Sequence, residues 1–117
     1  MIQRIEAGPR MSQAVVFQKT VYLAGQVSRP DAGPDVFVQT SQVLESIDRL
    51  LAAAGTDKSQ LLSATIWLTD MDTFDDMNRA WDAWVAPGCA PARATVQSSK
   101  LAETCYRVEI GVIAAQQ

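Results

Sequence analysis

The chain has 117 residues with a formal charge of -3, and its 48% hydrophobic and 20% charged residues are the balance of a globular protein, not of a disordered one. It contains no histidine and only two cysteines, Cys89 and Cys105, which excludes a Ser-His-Asp triad, a Cys-His dyad, a histidine-ligated metal and a disulfide framework. An acidic balance leaves no footprint for nucleic acid, and no apolar run approaches the roughly 20 residues of a membrane span, so neither partner is expected and the expected location is cytoplasmic.

The length fits one domain over residues 1-117, enough to bury about two-thirds of the unfolded surface. Ile2 and Ile5 suggest an edge strand before the turn at Gly8-Pro9. Ser12 to Phe17 and Thr20 to Gln26 are β-rich runs that suit a hairpin, although Gln18-Lys19 between them lacks the residues that favour the positive φ of a two-residue turn. Gly25, after the second run, marks a turn or a close approach of backbone to a ligand. Residues 28-34 form a loop with two prolines, a glycine and an aspartate.

Asp35 through Ala54 is predicted as the first helix, because Val36, Val43, Leu44, Ile47, Leu50 and Leu51 recur at helical spacing. Gly55 stands where a left-handed C-terminal residue belongs. Glu45 and Arg49 are placed to pair one turn apart. Gln60 to Thr69 follows as a strand. A second helix starts at Asp72 or Thr73, with Thr73 and Asp76 at the spacing of a capping box and Phe74, Met77, Trp81, Trp84 and Val85 as its apolar stripe.

After the stop at Pro87-Gly88, Pro91 introduces an extended segment in which Arg93, Thr95, Gln97 and Ser99 share one face and Ala92, Ala94 and Val96 the other. An arginine on such a strand needs an acidic side chain, a subunit boundary or an anionic ligand. Tyr106 to Ala115 is the last strand, its alternation separating Val108, Ile110 and Val112 from Arg107, Glu109 and Ile113. Two helices cover one face of such a sheet, and Arg93, Thr95, Gln97 and Glu109 are expected together on the other.

These segments resemble the RidA (YjgF) family of enamine/imine deaminases along nearly the whole chain. Ser12-Gln13-Ala14-Val15 followed by Val21-Tyr22-Leu23-Ala24-Gly25-Gln26 is similar to the family's GPYSQAV and SGQ region. Phe74 through Asn78 resembles its second-helix motif, Pro91-Ala92-Arg93 its PAR signature, and Val108-Glu109-Ile110 its closing strand. Residues 80-85 look most like the YoaB-type branch. The resemblance implies an α+β, chorismate-mutase-like mixed sheet with two helices packed on one face. It further implies a homotrimer around a shared barrel, with active sites between subunits, an imino or oxo acid as ligand, and neither cofactor nor metal.

Carried over residue by residue, the family's carboxylate-holding arginine falls on Arg93 and its water-positioning glutamate on Glu109. Gly25, Asn78, Thr95 and Met11 fall at substrate-binding positions. Met11 replaces a tyrosine, Ala24 a serine and Thr95 a cysteine, changes that bear on substrate preference.

The chemistry supports the two retained residues independently. A guanidinium fork matches a planar carboxylate, and a carboxylate side chain can orient a water against a C=N carbon. The competing structural reading is an Arg93–Glu109 ion pair across the sheet or a subunit interface, with Asn78 a packing residue and Trp81 and Trp84 plain core aromatics. The competing functional class is a trimeric module that binds a 2-oxo acid, or another protein, without catalysis.

Overall fold

The computed structural model covers residues 1–117. Six strands, β1 (Gln3–Ala7), β2 (Ser12–Phe17), β3 (Thr20–Leu23), β4 (Leu61–Leu68), β5 (Ala92–Gln97) and β6 (Val108–Ala115), form one sheet in the order β1-β2-β3-β6-β4-β5. Helices α1 (Val36–Ala53) and α2 (Phe74–Trp84) cover one of its faces. Every neighbouring pair is antiparallel except β4 and β5. A parallel pair cannot be joined by a tight turn and needs a crossover. The β4–α2–β5 segment supplies it, so α2 lies above the β5 edge of the sheet.

Local chemistry explains most element boundaries. The Asp35 carboxylate caps α1 by accepting from the Val38 N–H at 3.2 Å, and Gly55 ends it with φ 78°. The stripe expected from spacing is the one buried: Val43, Ile47, Leu50 and Leu51 are fully enclosed, each contributing about 1.5–3 kcal/mol of burial. They pack on the inward rows of the sheet, where Ala64, Ile66 and Leu68 of β4 face Val112, Ile110 and Val108 of β6.

Three local expectations are corrected. The Thr73–Asp76 capping box does not form, because a 3-10 turn at Met71–Thr73 precedes α2; the Thr73 hydroxyl donates to the Asp70 carbonyl at 2.6 Å, and the Asp70 carboxylate accepts from the Asp72 N–H. Arg49 pairs with Glu6 on β1 and not with Glu45, since the sheet edge passes within its reach. Tyr106 lies outside β6, which starts at Val108. The β2–β3 hairpin does form on Gln18-Lys19, with φ of 50° and 65°.

Candidate active site

Arg93 sits on β5 opposite Ala64, and Thr95 opposite Ile66, both of which face the helices. The arginine therefore points beneath α2. Its Nη1 donates to Asn78 Oδ1 at 2.8 Å, and its guanidinium carbon lies 5.3 Å from the Trp81 ring centroid and 5.9 Å from that of Phe74. No carboxylate pairs with it: the ion pairs of the chain are Arg49–Glu6 and Arg79–Asp76. The guanidinium is half-buried, charged, and without a counter-ion. Thr95 presents no hydroxyl to a ligand, because its Oγ1 is sealed from solvent and has no hydrogen-bond partner; only its main chain is left for that role. Gln97, next on the same face, accepts from the Met71 N–H and ties the 3-10 turn to β5.

Glu109 lies in a different place. It pairs with Trp67 across β4 and β6, and Trp67 pairs with Val96, a row on the face opposite the helices. Its side chain passes over Gly25, where an added Cβ would come within 2.1 Å of the carboxylate oxygen. A side chain at position 25 would displace the Glu109 carboxylate from this place. The adjacent Gln26 forms a two-bond bridge with Ile110, N to O at 2.8 Å and O to N at 3.1 Å, which presses the Gly25 backbone against β6. Its carboxamide donates to Gln13 Oε1 at 2.9 Å and to the Ala24 carbonyl at 3.0 Å. This brace is not legible from the motif that contains Gln13 and Gln26, whose only sequence signal is a glutamine directly after Gly25. Met11 is exposed on the loop leading into β2, close in sequence to Gln13. The Glu109 carboxylate makes no hydrogen bond or ion pair within the chain.

The expectation that Arg93 and Glu109 share a face is thus overturned. Alternation along β5 divides its side chains into two sets, and the parallel crossover turns the arginine set toward α2, while β4 separates β5 from β6. The two charged groups lie on opposite faces of one sheet, so the ion pair across the sheet does not exist in the chain. Arg93 and Asn78 form one cluster, Glu109 and Gly25 another. Neither lines any of the five surface depressions of the molecule. No group of three or more acidic, cysteine or histidine side chains is placed to hold a metal, and no helix is long and apolar enough to cross a membrane.

Residues 1–116 match the family model described as Endoribonuclease L-PSP. The chain is 45% identical over 115 residues to a RutC family protein of Haemophilus ducreyi, covering 98% of this chain and 97% of that protein. It is 46% identical over 114 residues to the RutC family protein YoaB of Escherichia coli, covering 97% of each. A more distant relative, 36% identical over 110 residues and covering 90% of this chain and 80% of its own, is the 2-iminobutanoate/2-iminopropanoate deaminase of Mus musculus. Among solved structures, a member of the YjgF protein family from Neisseria meningitidis superposes with a TM-score of 0.95 at 42% identity, covering all of this chain and 96% of that one. With matches of this extent in both sequence and fold, the chain belongs to the RidA/YjgF family, on its YoaB-like branch.

Proposed function

We propose that the protein hydrolyses reactive 2-enamine and 2-imino acids to 2-oxo acids and ammonia, without a cofactor, in sites that lie between the subunits of a homotrimer. The observation that carries this reading is the pair of half-buried charges, Arg93 and Glu109, each lacking a counter-ion and each on a different face. Leaving a charge partly desolvated and unpaired costs stability. Both groups gain partners if Arg93 of one subunit and Glu109 of its neighbour line one cleft. Arg93 then holds the substrate carboxylate through a charge-assisted fork, and Glu109 orients a water against the C=N carbon and accepts its proton. The tetrahedral adduct expels ammonia once nitrogen is protonated, leaving the 2-oxo acid. The name of the mouse relative accords with this chemistry. A small anion, and not RNA, is the ligand in this reading, in keeping with the net charge of -3 and the lack of histidine.

Subunit mixing tests both the chemistry and the shared site. Arg93→Ala should lose affinity for a 2-oxo acid together with turnover, whereas Glu109→Gln should keep affinity and lose kcat, each by about 10²-fold or more. Co-refolding the two inactive variants in equal amounts should restore turnover at about a quarter of the sites, as random assortment in a closed ring requires. No recovery would mean that Arg93 and Glu109 do not share a cleft between subunits. Full turnover by Glu109→Gln would remove Glu109 from the chemistry, and a wild-type protein that binds a 2-oxo acid without turnover would leave the non-catalytic binding module as the better reading.

A further inference from the structure

Within the proposed carboxylate site, we propose that Trp81 is a positioning residue for Arg93, and that Phe74, Asn78 and Trp81 together form a neutral socket that orients the guanidinium without discharging it. The three residues are spaced i, i+4 and i+7 on α2, which brings them onto one face of the helix. Trp81 is 5% exposed and belongs to the core by burial, yet its ring also lies 5.3 Å from the guanidinium carbon, with the Phe74 ring at 5.9 Å and the Asn78 oxygen at 2.8 Å from Nη1. Aromatic faces attract a cation electrostatically while leaving its N–H donors free. Only Nη1 has a partner in the chain, so the rest of the fork is available to a ligand.

The choice of partners is selective. The same short helix carries Asp75, Asp76 and Asp82, all exposed, and Asp76 is spent on Arg79. A carboxylate at position 78 would pair with Arg93 and compete with the substrate for it. Asparagine supplies the same shape and an acceptor without the charge. A merely structural arginine would gain from that acid; one kept for an anionic ligand would not.

The test reads the socket in two ways. In the first, the Nε–H signal of Arg93 is followed by NMR: the indole ring current should displace it in the wild-type protein, Trp81→Phe should retain part of the displacement, and Trp81→Leu should abolish it. In the second, calorimetric affinity for 2-oxobutanoate should fall about tenfold in Trp81→Leu and far less in Trp81→Phe. Trp81→Leu should have no additional effect on affinity in an Arg93→Met background, since the tryptophan acts through the arginine.

Asn78→Asp serves where truncation of a buried tryptophan perturbs folding. It should leave melting unchanged or raised, yet weaken 2-oxobutanoate binding at least about tenfold by supplying a competing carboxylate. Normal binding by a folded Asn78→Asp protein, or an affinity loss in Trp81→Leu that persists unchanged in the Arg93→Met background, overturns the proposal. A wild-type protein that binds no oxo acid would refute the functional reading, while the Arg93 Nε–H signal would still decide the socket.

Discussion

Thr95 shows how one side chain separates stability from function. The family resemblance implies a substrate-binding position for it, two residues after Arg93, yet its hydroxyl is one of two buried side-chain polar atoms without a partner, the other being that of Thr40. A hydroxyl sealed from solvent cannot meet a ligand that arrives from solvent, and leaving it unpaired costs about 1–3 kcal/mol. Thr95→Val keeps the shape and removes that cost. The variant should be more stable by about 1 kcal/mol in urea denaturation, with 2-oxo acid affinity unchanged. A stabilised protein with weakened affinity would show the hydroxyl turning toward the ligand on binding. At Gly25 the missing Cβ matters instead, because the Glu109 carboxylate occupies the space that a side chain there would fill.

At the scale of elements, both helices and the alternation along β5 and β6 could be read from the sequence, because periodicity and strand pairing are local signals. Strand order could not. That β6 lies between β3 and β4, and that β5 pairs with β4 in the register Ala64–Arg93, depends on contacts distant in sequence, and this register decides which set of β5 side chains meets the helices. Polar residues are ordinarily assigned to the outward face, which places Arg93, Thr95 and Gln97 beside Glu109. In the molecule they point under α2, and Ala92, Ala94 and Val96 point outward. The hairpin was legible despite its poor turn residues, since the flanking β-rich runs outweigh them. Gln18 and Lys19 pay for this with φ of 50° and 65°, a left-handed conformation that asparagine and glycine adopt more readily. Replacing the pair by Asn-Gly should raise stability by about 1 kcal/mol with the strand register intact. A loss of stability would mean that the side chains of Gln18 and Lys19 contribute more than their backbone strain costs.

For the whole molecule, the inverted polarity of β5 is an argument about assembly. The face away from the helices carries Phe17, Tyr22 and Val96 at 40%, 44% and 44% exposure, together with half-buried Val15, Trp67 and Ile113. An apolar sheet face of this kind is ordinarily covered, and the unpaired Glu109 lies within it. Three copies closing their open faces around a barrel would bury this surface and bring the Arg93 edge of one subunit toward the Glu109 face of the next. Tyr22 offers a test because it pairs with Ile113 and Val15, away from both charged clusters. Tyr22→Lys places a cation in that face without disturbing the core behind it, where Val21 and Leu23 are buried. Sedimentation equilibrium should give about three times 12.7 kDa for the wild-type chain and a single-chain mass for Tyr22→Lys. Turnover should disappear with the dissociation, while the Arg93 Nε–H signal of the socket persists in the monomer. As a control, Val38→Lys changes an exposed valine on α1, 37% accessible on the helical side, and should alter neither mass nor turnover. A monomeric Tyr22→Lys protein with full turnover would mean that a single chain carries a complete site, and would overturn the cleft shared between Arg93 of one subunit and Glu109 of the next.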